Sequence, residues 1–207
     1  FFSGIPIRSS LDISFSLPTT VDREPNKSYC AVKKTSPILE EVRYYAQELL
    51  RLSERRQAVL NDMVALAQPL PEYDILRSIP GIAETTATSI IGELRDIRRF
   101  KSANQINAFI GIDLKHYESG DFLGQEHITK RGNPYARKIL YKCIHNIASA
   151  SHTNPCHIAD FYEKRKRQSQ TTSTKPHTIA SIHRLIRTMY YLITHNKLYD
   201  YSLTQNR

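Results

Sequence analysis

Apolar residues recur along residues 38–66 in alternating steps of four and three. The series is Ile38, Val42, Tyr45, Leu49, Leu52, Arg56, Val59, Met63 and Leu66. Arg56 is its one charged member, and a 3.5-residue period held over four heptads is typical of a coiled coil. We therefore predict a helix over residues 36–68, beginning at the Ser36–Pro37 cap, that joins copies of the chain into a homo-oligomer. The alternative is an ordinary amphipathic helix docked on the next domain.

After Pro69 and Pro71 the apolar pattern predicts shorter helices. Residues 75–94 predict two short helices joined by Pro80–Gly81–Ile82, because proline cannot continue a helix and Gly81 can take the positive φ of a tight reversal. This unit resembles the helix-hairpin-helix of DNA-handling proteins, in which backbone N–H groups bind a phosphate without reading bases. Gly81 and Ile82 are thus candidate nucleic-acid-binding residues, although Ala83 stands where a second glycine is usual. A plain helix-turn-helix packing unit is the alternative.

The remaining periodicity predicts helices over about 102–110, from Asn133–Pro134 onward, over 156–168 and over 176–196. Residues 112–129 lack a helical period and predict a loop or a small β-hairpin. The fold class is therefore mainly α, with a coiled-coil-like helix followed by a helical domain over residues 72–200. Residues 1–35, dotted with proline and serine, predict a loosely ordered lead-in.

Charge is distributed unevenly along the 207 residues, whose formal net charge is +9. Residues 1–94 carry ten Lys/Arg and twelve Asp/Glu, whereas residues 95–187 carry seventeen and seven. A basic half beside a near-neutral half indicates a surface that binds a polyanion such as DNA.

Cysteine usage and hydropathy indicate the cellular compartment in which the protein is expected. The three cysteines have neither paired nor metal-ligand spacing, and the sequence offers no signal peptide, which favours the reducing cytoplasm. Cys143 lies on the apolar stripe of a predicted helix and is expected in the core. No apolar run approaches the length of a membrane helix, so no membrane association is expected.

A candidate reactive site lies between residues 111 and 137. Lys130 and Arg131 immediately precede a predicted helix N-terminus, where free N–H groups and the helix dipole favour a phosphate. Arg137 follows one turn later, and Ser119 lies on the preceding loop beside Gly120. A serine hydroxyl near a bound phosphate is a candidate nucleophile, but it needs a base or a metal. The simpler interpretation is an ordinary turn serine.

Several motifs occur in one order along residues 36–200. They are Leu76–Ile82, Phe109–Asp113, Tyr117–Gly120 and Ile128–Asn133, all after a long helix. This order resembles the C-terminal half of the DEDD insertion-sequence transposases, the IS110 type that includes IS116 and IS902. The resemblance implies that Ser119 attacks a DNA phosphodiester and becomes joined to it, with Lys130, Arg131 and Arg137 as the basic element that follows.

The resemblance also implies partners and cofactors. Family members join the serine-bearing half to a RuvC-like half with four metal-binding acids, use magnesium, act as oligomers and pair a bridge RNA with DNA. That acidic half is not recognisable in residues 1–35, which we interpret as its possible remnant. We therefore expect no metal on this chain, and we expect the chain by itself to be catalytically inactive. The alternative is a non-catalytic helix-hairpin-helix module that binds nucleic acid and dimerises.

Overall fold

The computed structural model describes residues 36–115, 118–119, 122–123, 127–169 and 172–205, and these residues are mainly helical, as predicted. The helices are α1 (Pro37–Ala67), α2 (Pro71–Arg77), α3 (Glu84–Leu94), a 3-10 turn (Ile97–Arg99), α4 (Ala103–Ile110), α5 (Pro134–Ala150), α6 (His157–Gln168), α7 (Lys175–Thr194) and α8 (Ser202–Gln205). The predicted lead-in over residues 1–35 lies outside the described residues. Among the described helices, none combines the length and the apolar content that crossing a bilayer requires.

The chain divides into two units between Arg51 and Leu52. The described part of the first unit is the beginning of α1, where the apolar stripe faces solvent. Its exposed members there are Ile38, Val42, Tyr45 and Leu49. The second unit begins within the same helix, and three further stripe residues, Leu52, Val59 and Leu66, are exposed as well. Only the end of α1 contributes to a core, through buried Ala67 and partly buried Val64.

The core of the second unit forms where α5 and α7 pack together with α3 and α6. From α7 it receives Ile182, Leu185, Ile186, Met189 and Ile193, and from α5 it receives Leu140, Cys143, Ile144 and Ile147. Cys143 is fully buried, as predicted, and burial together with the nearby Cys156 raises the pKa of its thiol to about 12. This thiol is therefore a packing group and not a reactive one.

The helical pair predicted over residues 75–94 is formed by α2 and α3, joined at residues 78–83. Gly81 has φ +85°, and a Cβ atom on it would lie 2.6 Å from the Cα of Ile147 in α5. The turn therefore needs glycine for two reasons, its backbone conformation and its close approach to a neighbouring helix.

Four two-residue strands lie between α4 and α5, where we predicted a loop or β-hairpin. They are β1 (Leu114–Lys115), β2 (Glu118–Ser119), β3 (Phe122–Leu123) and β4 (His127–Ile128). β1 pairs antiparallel with β4, and β2 pairs antiparallel with β3. We call these four strands together the β-excursion; it connects α4 to α5.

Candidate nucleic-acid interface

The loop from Lys130 to Gly132 lies against the end of α4. Lys130 N–H donates to the Gly111 carbonyl at 3.0 Å, and Asn133 N–H donates to the Phe109 carbonyl at 2.9 Å. A Cβ atom on Gly132, whose φ is +147°, would lie 2.4 Å from the same Phe109 oxygen. This close backbone contact fixes the loop, while the side chains of Lys130 and Arg131 are exposed to solvent.

The N-terminus of α5 differs from the free phosphate site that we expected. The Asn133 side-chain oxygen accepts the N–H groups of Tyr135 and Ala136 at 2.9 and 3.1 Å, and Pro134 has no N–H. The Asn133 amide nitrogen donates to Glu93 at 2.6 Å, which ties the end of α3 to this cap. The expectation of free N–H groups is therefore wrong here, because an asparagine cap already uses them.

Arg137 also has a structural partner. Its guanidinium donates to the Ile110 carbonyl at 2.7 Å and is partly buried. Since that carbonyl belongs to the last turn of α4, Arg137 stabilises a helix C-terminus as well as adding positive charge beside the loop.

Two further exposed cations precede α4 in the chain, and sequence reasoning did not select them as site residues. Arg99 places its guanidinium 5.0 Å from the ring centroid of Phe109, and Arg95 follows two residues after Glu93. We define the basic patch as Arg95, Arg99, Lys130 and Arg131, all exposed. The signal that identifies the first two is the change from near-neutral to basic composition at residue 95.

The hairpin between α2 and α3 is less open to a phosphate than its sequence predicted. Gly81 is directed at α5, and Ile82 is buried and donates its N–H to Ile79 at 3.1 Å. Glu84 lies in the first turn of α3 and forms an ion pair with Arg77 at 3.5 Å. A carboxylate therefore already occupies the positive end of α3, and the helix-hairpin-helix assignment remains a prediction.

Ser119 lies in β2, opposite Phe122 in β3. Its backbone is described, but its side chain and the neighbouring Gly120 and Asp121 lie outside the described residues. The basic patch lies at the base of the same β-excursion, because Lys130 follows β4 by two residues.

The base of the excursion also holds a polar cluster. Thr129 donates its hydroxyl to Asp113 at 2.7 Å, and its N–H donates to the Asp113 carbonyl at 2.9 Å. His183 of α7 hydrogen-bonds with the backbone of Ile112. Burial is the main cause that lowers the pKa of His183, so this histidine is predominantly neutral at pH 7.

Metal ligands are a separate question. Within the described ranges, no three His, Cys, Asp or Glu side chains cluster in a way that would hold an ion. The resemblance implies magnesium on the RuvC-like half and not on these residues.

A helical domain with exposed cations around one loop is typical of polyanion-binding proteins. Residues 73–163 match the family described as "Transposase IS116/IS110/IS902 family". This match agrees with the resemblance of the chain to the C-terminal part of these transposases.

Two curated relatives agree with the family match. The chain is 32% identical over 93 residues to the "Transposase for insertion sequence element IS1111A" of Coxiella burnetii, covering 45% of this chain and 26% of the relative. It is 24% identical over 130 residues to the "Insertion element IS110 uncharacterized 43.6 kDa protein" of Streptomyces coelicolor, covering 61% of this chain and 30% of the relative. The chain thus matches less than a third of either relative's length.

Proposed function

We propose that this chain is the DNA-binding, serine-bearing part of an insertion-sequence transposase. The observation that carries the proposal is the basic patch, which combines exposed cations of residues 95–99 with those of the loop that directly follows the β-excursion holding Ser119. Exposed cations without carboxylate partners attract backbone phosphates independently of base sequence, and none of these four cations forms an ion pair among the described residues.

The chemical step that we propose is a transesterification. The Ser119 oxygen attacks the phosphorus of a DNA phosphodiester, a serine–phosphate ester forms, and one DNA hydroxyl leaves with the proton that serine loses. The number of phosphate ester bonds is unchanged, so the strands can be rejoined without ATP. Nearby cations would stabilise the additional negative charge of the five-coordinate phosphorus.

Partners follow from the same proposal. The step requires the metal-binding acids of a RuvC-like half, so we expect this chain alone to be inactive and to act with magnesium only when such a half is supplied. Bridge RNA is a second proposed ligand of the assembly. Self-association through residues 38–66 would bring two serine-bearing parts together.

DNA binding is tested by fluorescence anisotropy with a duplex across a salt series. Lys130→Gln/Arg131→Gln should weaken binding and reduce the slope of log affinity against log salt by about one for each DNA phosphate that the variant no longer neutralises. Arg43→Gln/Arg55→Gln removes the same charge from exposed positions on α1 and should leave the slope nearly unchanged. Equal effects of the two variants would show that net charge, and not the patch, controls binding.

The serine step is tested by complementation. The chain is mixed with a full-length family member whose own nucleophilic serine is alanine, and DNA–protein adducts are resolved after denaturation. We expect an adduct with the mass of this chain, absent for Ser119→Ala, while DNA binding by that variant is unchanged. If the wild-type chain co-assembles and binds DNA but forms no adduct, the non-catalytic module is the correct interpretation.

A further inference from the structure

A groove of about 640 Å³ lies beside the C-terminal half of α7, bordered by the start of α6 and by the segment that follows Lys197. Its cations are Arg184, Arg187 and Lys197, and Asp200 is the only carboxylate in its lining. Asp200 already accepts the N–H and the hydroxyl of Ser202 at 2.8 and 2.7 Å. Three cations against one carboxylate give the lining a net positive charge, which suits an anionic ligand.

The walls of the groove are held in place by hydrogen bonds. The Tyr199 hydroxyl lies 2.7 Å from Nδ1 of His157 and accepts the His157 N–H at 3.1 Å. The Tyr199 N–H donates to the Ser78 hydroxyl at 2.8 Å, which fixes the C-terminal segment to the end of α2. Thr188 lies 3.2 Å from Nε2 of His157 and completes the floor. A site fixed in this way loses little entropy when it binds a ligand.

An aromatic surface lies at one side of the groove. Tyr191 is 50% exposed, and its ring stacks on His195 with centroids 4.2 Å apart and planes 29° from parallel. Exposed flat rings beside cations are the feature on which unpaired bases stack in proteins that bind single strands.

We propose that this groove binds an unpaired strand of nucleic acid, with a base stacked on Tyr191 and its phosphate bound by Arg187 and Lys197. The groove volume is in the range of pockets that hold small molecules, which suits a single nucleotide and is too small for the full width of a duplex. One nitrogen of Arg187 donates to the His183 carbonyl at 3.3 Å, which leaves its two terminal amino groups for a phosphate.

Arg187 of the groove lies one helical turn from a residue that contacts the segment before β1. Arg187 and His183 are neighbours on α7, and His183 hydrogen-bonds with Ile112 just before β1. The inference stands on the groove alone and does not require the serine chemistry or the basic patch.

The test measures the affinity of the chain for a 12-nucleotide thymidine oligomer, a 12-nucleotide uridine oligomer and a 12-base-pair duplex. Tyr191→Leu should weaken single-strand binding by about fivefold or more, the loss typical of one stacked base. Tyr191→Phe keeps the ring and should bind like the original chain. Preference for one oligomer identifies the strand as DNA or RNA, and either preference supports the inference.

A second pair of variants separates this inference from the proposed DNA binding. Arg187→Gln/Lys197→Gln should lower single-strand affinity with little change for the duplex, whereas Lys130→Gln/Arg131→Gln should do the reverse. The inference is overturned if the groove variants leave single-strand binding intact, or if they lower duplex and single-strand affinity equally. Thermal melts of each variant show that the fold is retained, and the two groove variants provide independent tests.

Discussion

At the scale of single residues, the backbone conformation of Gly81 determines how closely the α2–α3 turn packs on α5. Gly81→Ala should destabilise the fold by about 2 kcal/mol or more, because it combines the cost of a non-glycine residue at positive φ with overpacking. The added methyl would lie 2.6 Å from backbone atoms of Ile147, and backbone cannot move aside as a flexible side chain can. Urea unfolding at equilibrium measures the effect.

Gly92 provides the matched control. It lies within α3, and a Cβ atom on it would meet nothing within 4 Å. Gly92→Ala should therefore stabilise the chain by about 0.5–1 kcal/mol through the higher helix propensity of alanine. Equal unfolding midpoints for the two alanine variants would contradict the close packing of the turn on α5.

The sequence predicted the backbone conformation at Gly81 and Asn133 but not the contacts that these two residues make. Proline followed by glycine indicated a tight turn at Gly81, but the contact with Ile147 links residues 66 positions apart and leaves no local signal. Asn133 was correctly placed at a helix start, yet its side chain fills the site that we expected a phosphate to use. A cap residue and an anion compete for the same N–H groups, and local sequence cannot show which one occupies them.

At the scale of elements, two half-buried histidines, His157 of α6 and His183 of α7, couple stability to pH. Burial is the largest cause that lowers the pKa of both His157 and His183 below 6.5. At a pH between the folded and unfolded pKa values, the unfolded chain therefore binds more protons than the folded chain. Their contribution to stability is fully present above pH 6.5 and is lost as the pH falls through and below that value.

Urea unfolding at about pH 7 and about pH 5.5 tests this linkage. We expect the free energy of unfolding to be lower at the acidic pH and the difference to shrink in a His157→Gln/His183→Gln variant. An unchanged pH dependence in this variant would assign the acid sensitivity to other groups. The single variants should each remove part of the effect, since the two histidines lie on different helices.

Helices α1 to α7 were predictable because each has its own apolar period or cap. The 3-10 turn and α8 were not predicted, and the β-excursion was predicted only as a loop or hairpin. Its strands contain two residues each, too few for a period of two to be recognised. Arg99 illustrates the same limit for the candidate site. Its place in the basic patch depends on contact with Phe109, which no spacing in the sequence reveals.

At the scale of the whole molecule, the apolar stripe of α1 remains the feature that a single chain does not bury. Leu49 is 69% exposed and Leu66 is 78% exposed, and the stripe holds the 3.5-residue period of a coiled-coil seam. Burying such a series between two helices would gain roughly 25 cal/mol for each Å² of apolar surface removed from water. We therefore expect the chain to form an oligomer through residues 38–66 at micromolar concentration.

Leu52→Glu/Val59→Glu places two charges in this seam and should weaken association by more than about tenfold, because each charge would be buried unpaired. Sedimentation velocity over a concentration series measures the shift toward monomer. Gln47→Glu/Ala58→Glu adds the same charge at exposed positions off the seam and should associate like the original chain. If both variants associate alike, another surface joins the copies and α1 serves a different purpose. If the original chain is monomeric throughout, the stripe is not a self-association seam, and another surface or partner must bring two serine-bearing parts together.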